Sequence, residues 1–544
     1  VFHRGWREIA RRLASSDLDL VIVGGGITGC GIALDAAQRG LRVMVVEKAD
    51  IASGTSSRSS KLIHGGLRYL KQMQFRVTRA ACRERDRLVA LNPHLVHRIR
   101  FLYPAWHGDR TPGWQVDLGL WMYDQLTGNP EKHVQIGKTE LRSLAPGLQT
   151  QGLDRVLAYT DAMADDARLT HAVAATAWGY GAGILTRAEL EGPVFDGGGR
   201  IAGLVVHDLE HDDHLEIRAK LIVNATGVWT DAVRERLGLM ERHLRPSRGI
   251  HVILPRRAIP VTTAVSFPAG DGRPVFLIPH PEGTLLGTTD LYHDGGLDDP
   301  RPVESEIEYL LSAVRGAFPR TVLRREEVRG AFAGLRPILD THADEPSEAS
   351  REEDVWFENG VLSVAGGKLT TWRSMAETAV DAVLSHLPEE RARYAGRCRT
   401  AGTPLAGLAP ADLADRLIVT GIADPEVAAG MARRLGGLAW PARDLARDHR
   451  DLQPLVDGCD LGAAEVRAHL RWGAVVRLED LLLRRARFGM WRPDLAEALV
   501  GPTAELAADE LGWDHSRRSR EEDGCRAALN AWRLPDRSGQ TRRT

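Results

Sequence analysis

Three glycines at fixed spacing supply the first chemistry in this sequence. Gly24-Gly25-Gly26-Ile27-Thr28-Gly29 has glycine at its first, third and sixth positions. Gly24 can make a tight turn, Gly26 can let backbone approach a pyrophosphate, and Gly29 can let a helix pack closely on the preceding strand. The flanking residues supply the necessary elements. Asp19 to Val23 is an apolar, β-branched run that predicts a strand, and an alanine-rich stretch to Arg39 predicts a helix whose N-terminus would face the phosphates. A second predicted strand, Arg42 to Val46, ends at Glu47, spaced to hydrogen-bond a ribose hydroxyl. This constellation predicts dinucleotide binding and leaves NAD and FAD both open.

Two later segments favour FAD. The predicted strand Leu221 to Asn224 runs into Ala225-Thr226-Gly227, small residues that allow close passage beside a bound dinucleotide. Val361 to Val364 runs into Ala365-Gly366-Gly367-Lys368-Leu369-Thr370-Thr371, again strand, glycine turn and helix start, where backbone N–H groups can meet an electron-rich ring edge. Glycine-marked strand ends spread between Gly24 and Lys368 point to one interrupted cofactor domain, the extended support that an isoalloxazine requires.

The segment from Gly54 to Tyr69 reads Gly-Thr-Ser-Ser-Arg-Ser-Ser-Lys-Leu-Ile-His-Gly-Gly-Leu-Arg-Tyr. With RGIHV at 248–252, LLGTTD at 285–290, GLRPI at 334–338, GGKLTTWR at 366–373 and the less specific LEDLLLRRAR at 478–487, the chain resembles the FAD-dependent glycerol-3-phosphate dehydrogenases of the quinone-linked, aerobic type. The likeness runs through residues 18–535. It implies an α/β fold: a glutathione-reductase-like, doubly wound FAD-binding domain, an α+β substrate domain with an antiparallel sheet, and a helical C-terminal cap. It also implies a monotopic enzyme that oxidises sn-glycerol 3-phosphate and passes electrons to membrane quinone.

The resemblance assigns residues to roles. Arg336 and Arg351 match two arginines that meet the substrate, and Arg68 and Tyr69 belong to the same pocket. Guanidinium groups suit phosphate because their planar donors engage its oxygens bidentately. His251 is implied at the hydroxyl end, where neutral imidazole can take the proton; Tyr69, water, or a purely structural histidine are the alternatives. Lys368 is placed to steady negative charge on the flavin or the substrate oxygen. Catalysis is thus assigned to His251, Arg336, Lys368 and Tyr69. FAD contacts are assigned to Gly24, Gly26, Gly29, Glu47, Thr55, Ser56, Ser60, His64, Gly65, Ala225, Gly227, Gly367, Lys368, Leu369 and Thr370. Thr289 and Asp290 would orient the pocket, and no metal is implied.

The cofactor domain is expected at 18–80, 150–240 and 330–385, the substrate domain at 81–149 and 241–329, and the helical domain at 405–535, with a disordered tail at 536–544. Asp196 to Arg200 reads as a hairpin loop. In residues 1–16, Phe2, Trp6, Ile9 and Leu13 share one helical face and Arg4, Arg7 and Arg11 another. That pattern predicts either an interfacial helix on an anionic membrane surface or a terminal helix packed on the protein body.

Composition narrows the classes. A net charge of -2 gives no bulk drive towards nucleic acid. Five scattered cysteines, at positions 30, 82, 398, 459 and 525, form no CxxC pair and read as reduced thiols. No apolar run is long enough to span a bilayer and no secretory stretch opens the chain. The expected location is cytoplasmic, at the inner face of the membrane. Oligomeric state stays open, a homodimer among the options. An oxygen-using glycerol-3-phosphate oxidase, an amine- or amino-acid-oxidising flavoprotein and a flavin-bearing redox sensor remain alternatives.

Overall fold

The computed structural model describes residues 1–67, 73–128, 131–341, 343, 346 and 353–535. Two sheets organise them. The first has eight strands. At its centre β1 (Leu18–Val23) is flanked in parallel by β2 (Val43–Glu47). The next strands along the chain, β3 (Leu62–Ile63), β4 (Val96–Trp106), β5 (Val134–Gln135) and β6 (Leu153–Ala164), belong to the second sheet. The chain then returns: β7 (Gly183–Thr186) pairs in parallel with β2. A meander of β8 (Ala188–Phe195), β9 (Ile201–Asp208) and β10 (Asp213–Asn224) delivers β10 alongside β1. Asp196 to Arg200 does form the loop between β8 and β9.

The second sheet has ten strands. It adds β11 (Ser247–Leu254), β12 (Ala264–Pro268), β13 (Pro274–His280), β14 (Gly283–Gly287), β15 (Leu291–Tyr292) and β16 (Gly330–Arg336). Its pairings are antiparallel except β4 with β12. Finally β17 (Asp354–Glu358) and β18 (Val361–Ala365) close the first sheet beside β10.

The expected boundaries need correction. The segments 62–63, 153–164 and 330–336 fall within the ranges expected for the cofactor domain, but they pair within the ten-stranded sheet. An apolar strand's pattern specifies burial and not which sheet it joins. Helices Ile27–Gln38, Asp166–Gly179 and Trp372–His386 cover one face of the first sheet, and the meander covers the other. Residues 413–530 are mostly helical, and their apolar faces share a core with Phe101, Tyr159, Ile253 and Phe332 of the second sheet.

The N-terminal helix Trp6–Ala14 settles the two readings of residues 1–16. Phe2 and Trp6 are buried, and Phe2 packs against Trp178 and His171. Arg7 makes a paired contact with buried Asp208, and Arg11 bonds Asp208 and Asp213. Its apolar face and two of its arginines are thus spent on the protein body, so the interfacial-anchor reading is overturned. A helical wheel records which residues share a face but not what covers it. Among the described residues no helix is long and apolar enough to cross a membrane, and all five cysteines are free.

Candidate functional site

The first glycine turn has the geometry that its spacing predicts. Gly24 has φ +111°, and a Cβ there would lie 2.7 Å from the carbonyl oxygen of Ala225. A Cβ on Gly29 would fall 2.0 Å from the Gly24 oxygen, so helix and strand touch where only hydrogen fits. Gly26 differs: its Cβ would meet only Ser56 Oγ, at 3.3 Å. The side of this turn away from the protein is therefore open. Gly26 is the N-cap of the helix Ile27–Gln38, without a side-chain cap or an acidic residue in the first turn. Glu47 is buried beneath the turn, accepting from Gly25 N at 2.6 Å and Ala49 N at 2.8 Å. Burial pushes its carboxyl pKa up. A helix N-terminus whose N-cap is a glycine, an open glycine and a held carboxylate fit the pyrophosphate and ribose of a dinucleotide.

From that turn the loop Gly54–Gly65 runs through the site. Ser56 Oγ accepts from Ile27 N at 2.9 Å. Thr55 Oγ1 donates to the Leu335 carbonyl at 2.7 Å, tying the loop to β16. Ser60 Oγ is 2.8 Å from His251 Nε2. His64 N donates to Thr370 Oγ1 at 3.0 Å, joining the loop to the third glycine-marked strand end. There Gly366 and Gly367 have φ +80° and +73°, followed by Lys368 and the short turn Leu369–Thr371. Gly65 N donates to Tyr123 Oη at 2.8 Å, and a Cβ on Gly65 would strike Cys82 and Tyr123. Gly227 has φ +61° with open space where a Cβ would point. The predicted FAD residues thus lie along one continuous track.

His251 lies within β11 opposite Phe332 of β16, and the two rings stack with centroids 5.0 Å apart. Burial, then Arg336 and Lys61, hold its imidazole well below the usual histidine range, so the ring is neutral. Among the described residues its buried Nδ1 has no partner. Arg336 ends β16 opposite Ser247, on the same sheet face as His251 four residue pairs away. Its guanidinium reaches back over Gly249, where a Cβ would lie 2.3 Å from Nη2. Asp290 Oδ1 accepts from Arg336 Nη1 at 3.1 Å and from Ser247 Oγ at 3.0 Å, and Thr288 Oγ1 accepts from Arg336 Nη2 at 3.1 Å. The GTTD turn therefore aims the arginine.

Arg68, Tyr69 and Arg351 lie outside the described residues. Several contributors escaped the sequence reading although they sit inside its motifs. Gly249 makes room for Arg336, and Gly287 makes room for His251, whose Cδ2 would be 2.3 Å from a Cβ at that position. Lys61 lies on the far side of the loop, 2.7 Å from Asp166, which also takes Ser59 Oγ at 2.7 Å and Arg487 at 3.0 Å. The stretch 478–487, weakest of the family motifs, is the buried seam to the helical region: Arg484 and Arg485 both bind buried Asp50.

Residues 19–381 match the FAD dependent oxidoreductase family, and residues 398–518 match the C-terminal domain of alpha-glycerophosphate oxidase. The chain is 37% identical over 407 residues to an aerobic glycerol-3-phosphate dehydrogenase of Staphylococcus haemolyticus, covering 74% of this chain and 73% of that one. The corresponding Staphylococcus aureus protein is also 37% identical, with the same coverage. The structure resembles the glycerol-3-phosphate dehydrogenase from Bacillus halodurans complexed with FAD, with TM-score 0.79, 27% identity and 98% coverage of both chains. It shares its fold with an L-alpha-glycerophosphate oxidase from Mycoplasma pneumoniae, with TM-score 0.54 and 20% identity over 68% of this chain and 95% of that one. The protein is an FAD-binding oxidoreductase, and the chain belongs to the family of FAD-dependent, aerobic-type glycerol-3-phosphate dehydrogenases.

Proposed function

We propose that this protein oxidises sn-glycerol 3-phosphate to dihydroxyacetone phosphate and that its electrons leave to a membrane quinone. The observation that carries this reading is the placement of neutral, buried His251 and the guanidinium of Arg336 on one face of the sheet, beside the FAD track. Arg336 holds the phosphate, together with Arg351 and Arg68. Bound FAD would supply the acceptor for the hydride from C2. With its ring proton on Nε2 and donated to Ser60 Oγ, His251 takes the substrate's hydroxyl proton on Nδ1, so hydride and proton loss together leave the ketone. Lys368 steadies the charge on the substrate oxygen during transfer, and the family motif assigns Tyr69 to the same reaction.

A surface near the loop supports approach to a membrane. The helix Gly113–Leu126 turns Tyr123 inward to hold Gly65 and exposes Trp114, Leu118 and Trp121 outward. Exposed Arg76, Arg79 and Arg83 lie along the neighbouring helix Phe75–Leu91. Aromatic and basic residues side by side suit an anionic lipid interface, which would bring quinone to the site.

The test is an anaerobic titration of FAD-replete enzyme with glycerol 3-phosphate. Stoichiometric bleaching is expected, and an unbleached spectrum overturns the substrate. Reoxidation by a soluble quinone analogue without peroxide release is expected next. Rapid peroxide release in air would instead make it an oxidase.

A further inference from the structure

A cavity of about 100 Å³ lies behind the loop Gly54–Gly65, whose Lys61 lines it, where the helical region meets the ten-stranded sheet. Its lining includes Arg168, His94, His97, His280, Arg433 and Arg434. A second cavity of about 60 Å³ adjoins it and shares Arg168, His94 and Arg434.

Most cations here are already matched. Arg433 Nη2 is 2.7 Å from both Glu282 and Asp460. Arg434 binds Asp460 at 2.8 Å and Glu465 at 2.6 Å. Arg487 takes Asp165 and Asp166. Arg168 is different. Its Nε donates to the Arg434 carbonyl at 3.0 Å, and among the described residues its Nη atoms make no hydrogen bond and face no carboxylate within ion-pair distance. The nearby Asp165 spends one oxygen on the Arg168 backbone N–H and the other on Arg487.

Burial pushes the Arg168 guanidinium down to about 10, with Asp165 and Glu465 opposing and Arg433 and Arg434 reinforcing the shift. The charge of Arg168 in turn adds to burial in lowering His94 and His97. His94 Nε2 is 3.2 Å from the Ala406 carbonyl, while its buried Nδ1 has no partner among the described residues. His280 Nδ1 accepts from Glu282 N, which in the neutral ring leaves an N–H on Nε2. A half-buried guanidinium whose Nη atoms have no direct ion-pair partner among the described residues and open on a cavity is suited to meet an anionic ligand.

We propose that this cavity binds a small multivalent oxyanion, a phosphate group by chemistry, seated on the free edge of Arg168 and bridging the helix Asp166–Gly179 to the helical region. Arg168 supplies the planar two-donor edge that suits phosphate. The site is separate from the Arg336 pocket and is not needed for hydride transfer.

The experiment is calorimetric titration of inorganic phosphate into FAD-replete enzyme with chloride as the ionic-strength control. It uses the Arg336→Leu variant, so that the substrate pocket contributes little. Arg336→Leu is expected to retain one phosphate equivalent, and Arg336→Leu/Arg168→Gln to lose at least tenfold in affinity for it. Equal binding by both variants, or no phosphate binding in Arg336→Leu, overturns the proposal. If Arg168→Gln fails to retain FAD, His97→Glu replaces it, setting a carboxylate against the guanidinium to compete with the anion. Unchanged phosphate affinity in that variant also overturns it. Loss on changing Arg168 is readable whether or not Arg336 holds the substrate's phosphate.

Discussion

Ser60 Oγ and His251 Nε2 are 2.8 Å apart, so the loop proposed to line the FAD also fixes the histidine on the neighbouring sheet. One hydroxyl thereby links cofactor positioning to the proposed proton acceptor. His251→Asn should lower kcat about 100-fold or more, the usual scale for a general base. Ser60→Ala should cost about three- to tenfold, the scale of one net hydrogen bond. Both variants should keep FAD, as read from flavin absorbance per protein. Because His251 lies well below the usual histidine range, kcat/KM should stay flat from neutral pH down through about 6.5. A histidine-like limb at or above that pH counts against the assignment.

Arg336→Leu should lower kcat/KM for glycerol 3-phosphate at least about tenfold, equivalent to about 1.4 kcal/mol, with little change for glycerol. Gly249→Ala should have a smaller effect of the same kind, because its methyl group would displace the guanidinium. Steady-state rates with both substrates at fixed artificial acceptor provide the check. Parallel loss on glycerol and glycerol 3-phosphate would remove the phosphate clamp.

Gly26 and Gly29 should fail differently when substituted. Gly26→Val faces open space beyond Ser56, so the apoprotein should fold while FAD retention collapses. Gly29→Ala sets its methyl against the Gly24 carbonyl and should destabilise the fold by several kcal/mol, about the cost of overpacking a rigid contact. Urea midpoints of the two apoproteins separate the cases. An FAD-replete Gly26→Val would contradict the pyrophosphate placement.

Deleting residues 1–16 should lower the melting temperature, because it uncovers the Phe2 and Trp6 site and leaves buried Asp208 without Arg7 and Arg11. The loss should exceed about 3 kcal/mol, the scale for breaking a buried ion pair. Liposome binding should instead fall in a Trp114→Ser/Leu118→Ser/Trp121→Ser variant. Co-sedimentation with anionic vesicles tests this, and unchanged binding in that triple variant would exclude the helix Gly113–Leu126 as the contact.

Stability should decline as pH falls from 7.5 to 5.5. His171, His251 and His280 are held neutral by burial, so below about 6.5 the unfolded chain binds protons that the folded chain does not. Each contributes a slope of up to roughly 1.4 kcal/mol per pH unit in that window. The contribution is fully present above the unfolded pKa and is lost as pH falls towards the folded one. Glu47, pushed upward by burial, acts in the opposite sense. Urea midpoints across the range give the measurement, and a flat profile would mean that these rings are protonated in the folded state.

Local sequence determined the parts that depend on local physics. The glycine turn at 24–29 was legible because backbone clearance at Gly24 and Gly29 requires the absence of a side chain, and the loop 196–200 was legible from its turn residues. The site motifs were legible as linear strings, including RGIHV and GGKLTTWR. Tertiary structure decided what the strings could not carry: that β3, β6 and β16 join the second sheet, that Gly249 serves Arg336 and Gly287 serves His251, and that Arg484 and Arg485 meet Asp50. These relationships join residues far apart in the chain, and no spacing encodes them. The N-terminal helix makes the same point: its amphipathic pattern specified that one face must be covered, and only the packed chain placed Trp178, His171 and Asp208 there instead of a membrane.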